Sequence, residues 1–498
     1  MPSFAWLLTI ALTGCASKPL YPDLAADIAA AGLAPDQVAL SIVPLTANST
    51  KPVQYRADAM MQPASTLKVV TTSAAFANLG LLWRGETQLL VAKSDLANLA
   101  AGRLQQPLIV RGLADYDLDY ATLYELLQQL RARGIHTLDG GMLIDRSLFA
   151  ETPAKVPFDQ SPQAYYNYQP DALPLGRNML QVRIDSRQIA PSSMANATTV
   201  VLIPHWPGID VKSELTITDA PCKTANTDGW QWLYQPTAPL TTAPLTTETK
   251  TSSAPTIPAA TLVVRGDFPR NCLLERYQAV FDKDVTLELA LRTSWQQLGG
   301  TDFGAVQFGK TPDNYQLLAR HHSRPLPQLV HQLNKESDNG LAQLLFQRLA
   351  NPSNQANDLS LAQAEQQVLL WLSQNQINTK GMQLENGSGL SRTAQISAEQ
   401  LAAILAYNWR QAWAPEFISS LPLAGQDGTI RQRFQQSPVL NQARLKTGTL
   451  RNVTAIAGYV WDQQQRPYVF VAIVNANNAS SAGRPLINRW VTQLVQSN

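Results

Sequence analysis

Three short groupings of residues hold the chemistry that this 498-residue sequence can perform: Ser65-Thr66-Leu67-Lys68, Ser337-Asp338-Asn339 and Lys446-Thr447-Gly448. Ser65 and Lys68 are three residues apart, so a helix starting at Ser65 puts both side chains on one face. A serine hydroxyl attacks a carbonyl only if a base removes its proton. Lysine serves as that base once burial and a second cation, such as Lys446, pull its pKa below the usual value of about 10.4. Ser337 is suited to passing a proton to a leaving amine, and Asn339 to hydrogen-bonding a substrate amide. Lys446 and Thr447 are donors for a terminal carboxylate, with Lys446 expected to stay charged opposite it. Gly448 is expected to leave room for an extended peptide pairing at a strand edge. The chemistry implied is acyl transfer from an amide to water through a serine ester.

These groupings need a helix start, a helix junction and an edge strand. Gln62-Pro63-Ala64 leads into a helix-forming run from Thr66 to Leu79, with Ser65 at its start. Helical periodicity returns at Thr286–Leu298, Pro325–Lys335, Gly340–Leu349, Leu361–Ser373 and Ser397–Trp409, the last opened by the capping-box pattern Ser397-Ala-Glu-Gln400. Val38–Leu45 and a partner near Val53 read as a hairpin. Arg444–Gly448, Asn452–Trp461 and Tyr468–Asn475 read as antiparallel strands, followed by a helix from Pro485 to Val495. Strands at both ends with helices between them imply one α+β unit built from the two termini, with the middle inserted into it.

Composition excludes several functions. Lysine and arginine total 39 against 37 acidic residues, which leaves no basic excess for nucleic-acid binding. The 5 histidines are scattered apart from His321-His322, and no CxxC or HExxH spacing exists, so neither a metal centre nor a histidine-based triad has motif support. No cofactor and no metal is expected. Phe4–Leu12 is an apolar run of signal-peptide length ending in Leu12-Thr13-Gly14-Cys15, a lipobox-like sequence, although no Lys or Arg precedes it. Two outcomes follow: a lipid anchor at Cys15, or ordinary cleavage after Ala16. Export leaves Cys222 and Cys272 as a pair in an oxidising compartment, flanking a Pro/Thr tract, and a disulfide is expected between them.

Singly, each motif is weak. Ser373-Gln374-Asn375 repeats the SxN pattern inside an apolar helical run, where it reads as ordinary helix surface. In combination and in this order, the motifs resemble those of the class C low-molecular-mass penicillin-binding proteins, the D-alanyl-D-alanine carboxypeptidase/endopeptidase group. Pro63–Lys68 is similar to the nucleophile segment of that group, and Tyr165–Asn178 to its tyrosine-rich stretch. Asn386-Gly-Ser-Gly-Leu-Ser-Arg392 is similar to its D-G-S-G-L-S-R signature, with Asn386 in place of the aspartate. The roughly 270 residues between Lys68 and Ser337 match its inserted domains.

The resemblance implies an α+β transpeptidase-type domain of the serine β-lactamase/penicillin-binding-protein fold, an antiparallel sheet flanked by helices, with strand-rich domains inserted between the SxxK and SxN motifs. The expected division is a signal peptide over 1–17, a catalytic domain over 20–84 and 284–498, one inserted domain over 85–190 and 262–283, and another over 191–261. The implied catalytic set is Ser65, Lys68, Ser337, Asn339 and Lys446. Thr447, Gly448 and Thr449 would bind substrate, with the Ser65 and Thr449 N–H groups as the oxyanion hole. Asp159 and Arg392 would meet the diaminopimelate side chain. Peptidoglycan stem peptides are the implied substrate and β-lactams the implied covalent inhibitors, with action in the periplasm. Two other readings stay open: a serine β-lactamase, and a catalytically silent wall-binding scaffold. A class A β-lactamase would need an ExxxN arrangement, and none lies between Asn339 and Lys446.

Overall fold

The computed structural model describes residues 21–497 apart from 22, 47–50, 97–98, 151–157, 160–164, 170, 188–197, 223–229, 237–259 and 353–356. The leader with Cys15, and the Pro/Thr tract beyond Pro236, lie outside the described residues.

The two ends of the chain meet in one antiparallel sheet. Its strands are β1 (Val38–Pro44), β2 (Val53–Tyr55), β3 (Ala443–Leu450), β4 (Val453–Trp461) and β5 (Pro467–Asn475), in the order β3-β4-β5-β1-β2. β4 and β5 are buried along almost their whole length because alternate residues enter two different cores. Ala455, Ala457, Val469 and Val471 face a helical layer containing Leu401 and Leu405, whereas Ile456, Val460, Phe470 and Ala472 pack with Leu486 and Trp490. This two-sided burial explains their nearly continuous apolar sequence. β3 stands at the edge, as expected for the segment carrying Lys446-Thr447-Gly448.

Helices lining the first core include α1 (Lys68–Asn78), α2 (Leu326–Glu336), α3 (Asn339–Arg348) and α4 (Ala398–Trp409). The expected capping box opens α4: Ser397 Oγ accepts from Gln400 N at 3.1 Å, and Gln400 Oε1 accepts from Ser397 N at 2.9 Å. Ser373 sits in the helix Leu361–Gln374 and donates to Leu370 O, an ordinary helix-surface bond that leaves the second SxN pattern without a site.

The inserted part has its own core. A mixed five-stranded sheet runs Val306–Phe308, Met142–Asp145, Leu108–Leu113, Glu86–Ala92, Tyr315–His322, with the helices Tyr120–Ala132 and Lys283–Gln297 sharing its core. The pairing corrects the expected return to the catalytic domain at 284. Leu287, Leu289, Leu291 and Trp295 are buried with Leu108, Val110 and Leu127, and Tyr315–His322 pairs antiparallel with Glu86–Ala92. Helical periodicity in this segment did not reveal which of two cores its apolar face would enter. Three three-stranded sheets also belong to the insertion: Ile209–Thr218, Ala260–Pro269 and Gln231–Pro236; Leu273–Gln278, Leu180–Asp185 and Thr199–Ile203; and the short strands Thr301–Phe303, Thr137–Leu138 and Arg103–Leu104. Cys222 and Cys272 form the expected disulfide, their Cα atoms 5.2 Å apart.

Candidate active site

The chain approaches Ser65 through a constrained turn. Asn475, the last residue of β5, accepts from Gln62 N at 2.8 Å and donates to Gln62 O at 3.0 Å. Ala64 takes the left-handed conformation at φ 46°, which costs an L-residue roughly 1–2 kcal/mol. A 3-10 turn, Ala64–Leu67, then feeds α1, whose first residue is Lys68. Two glycines admit this turn. A Cβ on Gly389, whose φ is +76°, would lie 1.9 Å from Ala64 O, and one on Gly448 would lie 2.5 Å from Pro63 O. Each would also stand 3.1 Å from Ser65 N. The space at Gly448 is therefore filled by the nucleophile segment, which corrects the expectation that it is kept clear for a peptide.

Lys68 is wholly buried. Its ammonium donates to Ser65 Oγ at 2.9 Å, Asn339 Oδ1 at 2.7 Å and the Ser388 carbonyl at 2.6 Å. Burial is the main cause that holds its pKa well below the ordinary lysine value; Lys446 pushes the same way and Asp338 opposes. The amine is therefore fitted to accept a proton from the hydroxyl it touches. Asn339 is committed on both sides, since its Nδ2 also donates to Tyr166 O at 2.9 Å. These two bonds orient Lys68 and the tyrosine-rich segment, and they use one of the two Nδ2 hydrogens.

Ser337 occupies a left-handed position, φ 60°, between α2 and α3, and its Oγ accepts from Lys446 Nζ at 2.8 Å. Lys446 Nζ also donates to Thr447 O at 3.0 Å. Burial pulls the Lys446 pKa down to about 7, so the expected permanent charge is replaced by a group that titrates near neutrality. The Thr447 hydroxyl is 2.8 Å from that of Thr429, and Thr449 is exposed on β3.

Ser65, Ser337, Asn339, Thr449, Arg392 and Asp159 all line one open cleft of about 1960 Å³. Asp159 accepts from the Tyr166 hydroxyl and from Asn167 Nδ2, each at 2.9 Å. Arg392 donates to Phe158 O at 2.8 Å and lies 5.3 Å from the centre of the Phe158 ring, so it shares a corner of the cleft with Asp159.

Several contributors carry no signal in the motifs. Ser388 acts through its carbonyl, which Asn386 fixes by accepting from Ser388 N at 2.9 Å while donating to Leu390 O at 3.0 Å. Tyr116 and Arg177, both from the inserted part, converge on Asp338. The resemblance of Asn386–Arg392 to a family signature marked the first group; only the fold reveals the second.

A family model described as D-Ala-D-Ala carboxypeptidase 3 (S13) matches residues 21–494. The D-alanyl-D-alanine carboxypeptidase DacB of Haemophilus influenzae is 26% identical over 436 residues, spanning 84% of this chain and 82% of that protein. A D-alanyl-D-alanine carboxypeptidase of Actinomadura sp. (strain R39) is 29% identical over 237 residues, 45% of this chain and 43% of its own. The crystal structure of penicillin-binding protein 4 from H. influenzae superimposes with a TM-score of 0.74 at 23% identity, over 92% of this chain and 96% of that one. The expected α+β fold of the penicillin-binding type is therefore the fold of this protein.

Proposed function

The chain belongs to the D-Ala-D-Ala carboxypeptidase 3 (S13) family of serine peptidases, and from that premise we propose that Ser65 is its nucleophile, acting on peptidoglycan stem peptides. The observation that carries the assignment is the 2.9 Å contact between Ser65 Oγ and the buried, pKa-depressed amine of Lys68.

In acylation, neutral Lys68 takes the Ser65 proton as Oγ adds to the carbonyl of a D-Ala-D-Ala bond, or of a D-Ala–diaminopimelate crosslink. The N–H groups of Ser65 and Thr449 hold the oxyanion. The C–N bond then breaks. Ser337 gives its proton to the departing amine and is resupplied by the Lys446 ammonium, which already donates to it. In deacylation, water adds to the ester and loses a proton to the now neutral Lys446, while Ser65 Oγ leaves and recovers its proton from Lys68. A β-lactam enters by the same attack, but its leaving nitrogen stays tethered to the acyl group.

Substrate orientation comes from Lys446, Thr447 and the edge of β3, with Gly448 securing the nucleophile turn beneath. Asp159 and Arg392 supply opposite charges for the ammonium and carboxylate of a diaminopimelate side chain. Phe4–Cys15 directs export to the periplasm, with a lipid anchor at Cys15 as one outcome of processing.

Mass spectrometry after incubation with benzylpenicillin tests the reading. A persistent adduct on the wild type that is absent from Ser65→Ala is expected. Rapid turnover of the drug would identify a β-lactamase, and labelling of Ser65→Ala at the wild-type rate would overturn the nucleophile.

A further inference from the structure

The cleft is too large for the bond it is proposed to cut. Small-ligand sites typically enclose ~300–1000 Å³, whereas this one measures about 1960 Å³. Its excess lies against the inserted part of the chain, where Gln181, Ile203, Pro204, Glu275 and Tyr277 line the same cleft as Ser65.

Register explains why these residues act together. In the sheet of Leu273–Gln278, Leu180–Asp185 and Thr199–Ile203, Tyr277 lies opposite Gln181 and Gln181 opposite Ile203. The next row outward on the same face is Glu275, Arg183 and Val201. The opposite face buries Leu180, Val182, Ile184 and Leu202 in the inserted core, so the period-two alternation leaves the first face outward. That face is not ordinary sheet surface. Tyr277 is 64% exposed and Ile203 48%, and across the cleft Tyr165 is 69% exposed, although large hydrophobic side chains are mostly buried elsewhere among the described residues. An exposed apolar row continuous with a reaction cleft marks a contact site.

We propose that this sheet face is a subsite for the glycan strand from which the stem peptide hangs. The inference rests on the peptidoglycan reading above and extends it from the scissile bond to the polymer. Chemistry selects the occupant. Tyrosine rings offer a flat apolar surface to the C–H faces of sugars and a phenol at the rim for their hydroxyls. Gln181 between Tyr277 and Ile203 adds a donor and an acceptor. The Glu275–Arg183 pair, 3.6 Å apart, balances its own charge, and Arg276 beside it in the cleft lining adds one cation, so the face suits a weakly charged polymer better than a strongly acidic or basic one.

The test uses Tyr277→Ala, with Tyr277→Gln as a second variant that keeps a polar side chain, in the full chain. Release of D-alanine from insoluble peptidoglycan is compared with release from a soluble pentapeptide and with benzylpenicillin acylation. Polymer kcat/KM is expected to fall roughly tenfold, the order of one lost aromatic anchor, with the other two rates unchanged. Co-sedimentation of Ser65→Ala with insoluble peptidoglycan reads the subsite without turnover, and peptide-free glycan strands should compete it away. A parallel fall on polymer, pentapeptide and penicillin, no fall at all, or competition by stem peptide alone would overturn the subsite. Failure of penicillin labelling with glycan binding intact would instead count against the catalytic reading alone.

Discussion

The Tyr116 phenol donates to Asp338 Oδ2 at 2.7 Å, and so a residue of the inserted part holds the middle residue of Ser337-Asp338-Asn339. Asp338 is also the N-cap of α3, accepting from Leu341 N at 3.1 Å. Arg177 approaches the same carboxylate at 3.6 Å and lies 5.6 Å from the Tyr116 ring centre. The insertion is thus part of the frame of the reaction centre.

This contact should tune the base. The Asp338 charge raises the Lys68 pKa against burial and Lys446, and Tyr116 and Arg177 draw that charge away from it. Gln332, which reaches Asp338 Oδ2 at 3.5 Å, and the buried Tyr168 phenol also face Asp338, while Glu336 acts on Arg177. In Tyr116→Phe the carboxylate loses a donor and pulls harder on Lys68, so the acid limb of penicillin acylation should move to higher pH. In Asp338→Asn the anion is gone while an N-cap remains, and the limb should move to lower pH. Acylation rates between pH 5 and 9 check both signs, and shifts in the same direction would refute the account.

Gly389→Ala should be among the most damaging single-atom additions. Its positive φ disfavours alanine by roughly 1–2 kcal/mol, and the new methyl would meet Ala64 O at 1.9 Å. The Ser65 turn must move to make room, and a displacement of about 1 Å at a reacting group costs on the order of 100-fold in rate. Lower thermal stability together with a loss of acylation of that size is expected. A variant that melts lower but acylates normally would show that the turn can relax without moving Ser65.

The order of motifs, the edge strand and the capped helices were legible in the sequence because they depend on local spacing: a helical turn between Ser65 and Lys68, strand-length apolar runs in β4 and β5 separated by a polar turn, and Ser397 with Gln400. Contacts assembled from distant segments were not. Tyr116 and Arg177 stand about 220 and 160 residues from Asp338, with no pattern to link them. Gly448 could be read as a small residue at an edge strand, but which backbone it admits depends on the packing of 63–65. The segment 283–322 had recognisable elements whose sheet partners lie some 200 residues earlier.

Replacing both cysteines, Cys222→Ser with Cys272→Ser, should destabilise the insertion by about 2–4 kcal/mol, the usual range for opening a loop of this length. Cys272 is fully buried in the inserted core, which adds the burden of a hydroxyl there. Cys272 lies in the core of the inserted sheets, whereas the first core takes in only a margin of the insertion that includes Tyr116, Tyr168 and Met179, so benzylpenicillin labelling at 25 °C should persist. Urea unfolding followed by tryptophan fluorescence, with labelling measured in parallel, checks both parts.

Lys446 makes the pH dependence of both stability and binding testable. Its folded pKa of about 7 lies below the unfolded value near 10.4, so the folded state binds fewer protons between them. The stability it contributes is fully present above the unfolded value and is lost as pH falls through about 7. Melting temperature should therefore rise from pH 7 toward pH 9, and Lys446→Met should flatten the rise. A ligand carboxylate placed against this amine favours its charged form. At pH 8, binding of a D-Ala-D-Ala peptide to Ser65→Ala should then take up as much as about one proton. Calorimetry in buffers of different ionisation enthalpy measures that uptake. It should vanish when Lys446→Met is combined with Ser65→Ala; equal uptake with and without Lys446 would assign the proton to Lys68 instead.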